Sequence, residues 1–285
     1  MTDAVKRQAA VWLADSTPAM LVQVVAHKGS VPRETGTRML VSASQVAGTI
    51  GGGHLELQAI TQARLMLQAG QAGPAHEKHY PLGPALGQCC GGVLTLRTEA
   101  LSSAALAAWP ADTPLFTLQL YGAGHVGRAI THLLATLPCQ VMWIDEREDE
   151  FPAPDTTAPH IQRLCVEPVQ AEVPLAPAGA FYLVLTHRHD LDLAITEAIL
   201  RRADFGWLGL IGSATKRARF LARLAERGVP ASSLARLTCP IGLPGVPGKQ
   251  PEVIALAVVA QLLQVAGALH HTAPTPPTPA AVNPG

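Results

Sequence analysis

Residues 115–149 read LFTLQLYGAGHVGRAITHLLATLPCQVMWIDERED. An apolar strand-like run leads into Gly122-Ala123-Gly124-His125-Val126-Gly127, a helical pattern follows, and a second apolar run ends in Asp145. Each glycine has a physical task in such a strand–turn–helix–strand unit. Gly122 permits the tight turn, Gly124 lets backbone amides approach a phosphate, and Gly127 allows helix and strand to pack closely. The helix start presents unpaired N–H groups to an anion. Asp145 falls about 20 residues past the loop, where a ribose-binding acid belongs. The stretch predicts a Rossmann fold, which by itself names no ligand.

Two further strand-like runs, FYLVLTH (181–187) and FGWLGLIGS (205–213), each lead into a helical pattern, and an apolar helix runs from Pro251 to about Ala268. Strands alternating with helices predict an open, doubly wound parallel sheet. Upstream, residues 3–15 carry Val5, Ala9, Trp12 and Leu13 at helical spacing, and strands are expected at 20–26, at Arg38–Val41 and over 91–100. GTIGGGHLELQAITQARLMLQA (48–69) reads as a strand end, a glycine turn and an amphipathic helix. The fold class is therefore α/β: a smaller N-terminal α/β domain over 1–108, a linker over 109–114 where composition has turned to Ala, Ser, Pro and Asp, and a Rossmann-like domain over 115–268. The Pro-rich tail, 269–285, is expected to be disordered.

Composition narrows the function. Lys+Arg and Asp+Glu balance at 21 each, and aromatics are 4%, so neither a basic footprint nor stacking platforms for nucleic acid are present. No run reads as a signal peptide or a membrane span. Five cysteines at 89, 90, 139, 165 and 239 form no regular framework, so a reduced, cytoplasmic protein is expected.

The unusual chemistry is GQCCGG, residues 87–92. A disulfide between adjacent cysteines would close a strained ring, whereas amides of a glycine-rich loop favour a thiolate at Cys89 or Cys90. Such a thiolate is a nucleophile, a sulfur carrier or a soft-metal ligand. The other three cysteines sit in apolar or proline-rich contexts and read as structural. Gly51-Gly52-Gly53 opens a helix as a second natural anion nest, or simply as a tight turn. Thr186-His187-Arg188-His189-Asp190 follows a strand, on the edge where open α/β sheets bind ligands. Ser213 is placed to cap a helix, which puts Lys216 and Arg217 in a first turn that calls for a nearby anion. Pro240 to Lys249 is a stiff loop, lid or connector. No G-x-S-x-G elbow and no Walker loop occurs, nor an obvious acid–base pair for hydride transfer.

Together GSVPRETGTRMLV, GTIGGGHLE, LGQCCGG, YGAGHVGRA, WIDERE, LTHRHDLD, DFGWLGLIGSATKRARF and CPIGLPGVPGKQPEVIA run in order from residue 29 to 255. The chain resembles the XdhC/CoxI family, accessory proteins of xanthine dehydrogenase and related molybdenum hydroxylases. The resemblance implies a chaperone, not an enzyme, that holds the molybdenum cofactor, a pterin dithiolene with a terminal phosphate, while a cysteine desulfurase sulfurates it. The cofactor then passes to the molybdenum-binding subunit of apo xanthine dehydrogenase. On this resemblance the candidate cofactor-binding residues are Cys89, Cys90, Gly51, Gly52, Gly53, Gly122, Gly124 and Gly127, and the strand-end reading adds Asp145, His187 and His189. The two cysteines are also candidates for molybdenum contact. The Rossmann half is open to a nucleotide as well, and a homodimer is expected. Family members often carry Thr-His-Asp-His where this chain has Arg188 between the histidines, leaving Asp190 as a substitute carboxylate. The competing reading is an NAD(P)-dependent oxidoreductase that uses Gly122, Gly124, Gly127 and Asp145.

Overall fold

The structure, a computed structural model, describes residues 2–70, 75–82, 91–109, 113–153 and 156–272. Cys89, Cys90 and the tail beyond 272 lie outside them. The chain divides into two compact units, Met1–Asp112 and Thr113–Gly285.

The first unit is a five-stranded antiparallel sheet with helices on both faces. Helix α1 spans Thr2–Ala14, followed by strands β1 (Ala19–Lys28), β2 (Arg38–Ser42) and β3 (Val46–Gly48). Then come helix α2 (Gly53–Gln68), strands β4 (His76–Pro81) and β5 (Val93–Ala100), and the short helix α3 (Ser103–Ala107). The strand order is β3-β2-β1-β5-β4. Alternation along β1 sorts its side chains between two cores. Met20, Val22 and Val24 pack with Leu55, Ala59 and Ala63 of α2. Leu21, on the other face, packs with Val5, Ala9 and Trp12 of α1, whose spacing forms one helical stripe. Sequence periodicity missed β4, because of its six residues only Tyr80 is buried. It also missed α3, which the Ser102 hydroxyl caps by accepting from the Ala105 N–H.

The second unit is a six-stranded parallel sheet. Its strands are β6 (Thr117–Tyr121), β7 (Gln140–Asp145), β8 (Ile161–Cys165), β9 (Phe181–Val184), β10 (Trp207–Leu210) and β11 (Leu237–Thr238). The spatial order is β8-β7-β6-β9-β10-β11. Numbered from the first strand of the unit, this is 3-2-1-4-5-6, the Rossmann order, with its reversal between β6 and β9. Helix α4 (His125–Leu134) and the last helix, α8 (Pro251–Thr272), cover one face. Ile130, Leu134, Ala255, Val258 and Leu262 pack there against Leu118, Leu120 and Leu183. Helices α5 (His189–Arg202) and α6 (Ala214–Glu226) cover the other, burying Ile195, Ile199, Phe220 and Leu224. A four-residue helix, α7 (Ala231–Leu234), precedes β11. Strand β9, buried at all four residues, is the continuous apolar run that a doubly covered parallel sheet requires.

One expectation needs correction. The terminal helix continues to Thr272, past the expected tail boundary at 269. Its segment Pro251–Leu269, of mean hydropathy 1.9, is long and apolar enough to cross a membrane by length and composition alone, a test that core helices of globular domains also meet. The physical reason lies in the packing: Ala255, Val258, Leu262 and Ala266 form a buried stripe in the core of this unit.

Candidate functional site

In the second unit the glycine loop divides its work as the sequence argument requires. Gly122 adopts φ +120°, and a Cβ there would stand 2.4 Å from the Leu185 carbonyl oxygen, so no other residue fits. At Gly127 a Cβ would come within 2.1 Å of the Gly122 oxygen, which fixes how tightly α4 seats on β6. Gly124 differs from both. Among the described residues nothing lies within 4 Å of where its Cβ would be. It precedes α4 as the N-cap, next to first-turn amides that have no partner inside the helix.

A cavity of about 320 Å³ opens at this point, lined among others by Gly124, His125, Val126, Arg147, Thr186 and His187. These residues come from the loops after β6, β7 and β9, so the cavity sits at the topological switch point. The arrangement suits an anionic group on the amides, with a further portion of ligand in the cavity.

Asp145 ends β7 as expected but faces inward, with its side chain 3% exposed. Its Oδ2 accepts from the Ala123 N–H at 2.6 Å and its Oδ1 from the Arg147 N–H at 3.0 Å. The Arg147 guanidinium adds bonds to both oxygens. Burial alone would raise this carboxyl's pKa. The hydrogen bonds from Arg147 and from the Ala123 and Arg147 amides outweigh burial and hold it below the usual carboxylate range. In the structure Asp145 braces the glycine loop instead of presenting free oxygens to a ribose.

On the other side of the cavity, His187 Nε2 stands 3.6 Å from a Glu146 carboxylate oxygen. Arg188 reaches the same carboxylate and pairs with Asp190, so the carboxylate that was to replace the family's aspartate is engaged. His189 opens α5, is exposed, and does not line the cavity.

Beneath Thr186 lies a group that sequence reasoning missed. Asp192 is fully buried, accepts from the Thr186 N–H at 3.0 Å and hydroxyl at 2.7 Å, and receives the Lys216 ammonium at 2.6 Å. Lys216 also donates to the Ile211 carbonyl. Ser213 caps α6 as expected, and the anion called for near Lys216 proves to be this aspartate. The pair ties the loop after β9 to the loop after β10. The stiff loop from Pro240 is fastened to α8, with the Gly242 N–H donating to Gln261 and the Leu243 N–H to the Ala257 carbonyl.

In the first unit Gly51, Gly52 and Gly53 all have positive φ, at 122°, 75° and 66°. The nest holds an anion supplied by the chain. Glu56, in the first turn of α2, accepts from the Ile50 N–H at 3.0 Å, the Gly52 N–H at 3.1 Å and the Thr49 hydroxyl. Among the described residues no three His, Cys, Asp or Glu stand together as a metal site. Cys139 and Cys239 are buried, and burial pushes the Cys139 thiol up to about 11 and the Cys239 thiol upward. Cys165 is exposed, contrary to its apolar sequence context; desolvation and a hydrogen bond with Glu148 raise its pKa.

Residues 118–262 match the XdhC Rossmann domain, and residues 12–80 match the XdhC and CoxI family. The chain belongs to the XdhC and CoxI family. A relative within reach is YqeB of Escherichia coli K12, itself uncharacterized, 30% identical over 256 residues. That match takes in 87% of this chain and 43% of YqeB, so this family member spans less than half the length of that relative. A Bacillus halodurans crystal structure, described as a xanthine dehydrogenase, superposes with a TM-score of 0.75. It covers 95% of this chain and 98% of its own at 17% identity, which shows a shared fold.

Proposed function

We propose that this protein is an accessory factor that holds the molybdenum cofactor, protects it during sulfuration and inserts it into apo xanthine dehydrogenase. The observation that carries the reading is the Gly124 cradle: a helix N-terminus with no atom of the described residues within 4 Å of where a Cβ would be, opening on a cavity at the switch point. It fits the phosphate-bearing end of the cofactor. The amides of the Gly122–Gly127 loop would hold that phosphate; Cys89 and Cys90, which lie outside the described residues, are the thiols the chain offers for molybdenum contact or sulfur relay. When bound, the cofactor would supply the redox-active molybdenum centre that the dehydrogenase uses. The chain's own part is to bind, orient and shelter. Membership in the XdhC and CoxI family supports the accessory role. The partners on this reading are the molybdenum-binding subunit of the dehydrogenase and a cysteine desulfurase, met in the cytoplasm, with the protein acting as a homodimer.

The test is cofactor retention. Wild type, Cys89→Ala, Cys90→Ala and Gly124→Val are isolated without oxygen and loaded with molybdenum cofactor, and bound pterin is quantified by fluorescence after oxidation. Wild type should retain near-stoichiometric pterin, Gly124→Val should lose most of it, and at least one cysteine variant should lose retention or fail to activate the apo-dehydrogenase. A wild type that retains no pterin but turns over a small substrate with NAD(P) would overturn the proposal in favour of an oxidoreductase.

A further inference from the structure

Asp145 ends β7 where a sheet of this strand order meets the ribose of a dinucleotide. A carboxylate serves there by offering free acceptor positions to the two ribose hydroxyls. It has about four such positions, two on each oxygen. In this chain donors already fill them. Oδ1 accepts from the Arg147 N–H and Nε–H, both at 3.0 Å. Oδ2 accepts from the Ala123 N–H at 2.6 Å and from Arg147 Nη2–H at 3.0 Å. Two of these donors belong to one guanidinium, as many as the hydroxyls of a ribose diol.

The guanidinium is also held from its far side. Its Nη1–H donates to a Glu150 carboxylate oxygen at 3.0 Å. Arg128 in turn reaches the other Glu150 oxygen at 3.3 Å and the Glu150 carbonyl at 3.0 Å. Arg147 is thereby fixed as a planar bridge between two carboxylates, a geometry that suits a guanidinium and not an ammonium. Arg147 and Glu150 line the cavity at Gly124, whereas Asp145 does not. The Arg147 side chain is 32% exposed against 3% for Asp145, so the arginine stands between the cavity and the acid. Nor is it a free cation for a 2′-phosphate, the way an arginine near this strand end serves NADP. Two carboxylates are paired with it, and Glu146 adds a further negative charge nearby.

We propose that Arg147 is a specificity-determining residue: it fills the ribose-binding positions of Asp145, so that the site takes a phosphate-terminated ligand and turns nicotinamide dinucleotides away. This rests on the reading that the Gly124 cradle holds a phosphate, and it adds which class of phosphate ligand is refused. A phosphate needs only the loop amides. A dinucleotide also brings a ribose diol, which finds Asp145 occupied and Arg147 in its path. Two hydroxyl bonds to a carboxylate are worth about a hundredfold in affinity.

The full-length protein, without added pterin, is titrated with NADH and separately with NADPH in a calorimeter. Wild type should saturate with neither. Arg147→Ala uncovers Asp145 and should bind NADH saturably, at least about a hundredfold more tightly than wild type. The freed carboxylate repels a 2′-phosphate, so the gain should be confined to NADH. Arg147→Lys keeps a cation beside Asp145 and so spares the fold should the alanine variant not form. It gives up the two-pronged contact and should show a smaller gain in the same direction. Saturable binding of NADH or NADPH by wild type overturns the proposal, as does an equal gain for NADPH or no gain for NADH in the variants that fold. A gain for NADH beside a wild type that retains no pterin would sink the cofactor reading and leave the role of Arg147 standing. Retained pterin with no gain would do the reverse.

Discussion

Gly124 and Gly127 stand three residues apart in one loop, yet a methyl group means different things at each. At Gly127 it would meet the Gly122 oxygen, so Gly127→Ala should destabilise the protein by about 1–3 kcal/mol through overpacking. At Gly124 the space is open, so Gly124→Ala should leave stability within roughly 0.5 kcal/mol of wild type. Paired denaturant melts of the two variants check this, and equal losses would contradict the division of labour. The glycine pattern was legible in the sequence because turn, approach and packing impose local demands. Asp145 was legible in position and misleading in role. Its place at the strand end follows from spacing, but its direction follows from Arg147, whose two-pronged contact draws both oxygens inward.

Lys216 illustrates what spacing cannot supply between elements. A cation in the first turn of α6 signalled an anion nearby, and the structure provides Asp192, 24 positions earlier on α5. Only the tertiary fold brings the two together, so the aspartate carried no sequence signal beyond its acidity. Removing the ammonium leaves a buried carboxylate without its counter-ion, and Lys216→Met should cost about 3–5 kcal/mol. A chemical denaturation curve measures that loss, and a cost below about 1 kcal/mol would show that water or another cation reaches Asp192. Strands escaped the sequence reading for a related reason. Strand β4 is a charged edge, β8 keeps only Ile161 buried, and β11 is two residues long, so none shows the periodicity of a half-buried strand. The central strands, β1, β6, β9 and β10, were all legible as apolar runs bounded by glycine or polar turns.

Stability against acid belongs to the molecule as a whole, and its most buried contributor with a lowered pKa is Asp145. A carboxyl whose folded pKa lies below its unfolded value stabilises the fold fully above the ordinary carboxylate range, near pH 4. That contribution drains away as pH falls through the lower, folded value. Asp190 and Asp204 are also held low by arginines but are exposed and screened, so they add little. Unfolding free energy measured from pH 7 to pH 2 should therefore show an acid limb that Asp145→Asn flattens. The variant should lose on the order of 1–3 kcal/mol at pH 7 and converge with wild type at the acid end. Parallel curves would assign the limb to other groups. Glu56 has a different bearing on the molecule. A helix start built around an external anion would be ordered only while that anion was bound. By carrying its own carboxylate into the Gly51–Gly53 nest, the N-terminal unit makes the start of α2 independent of any ligand.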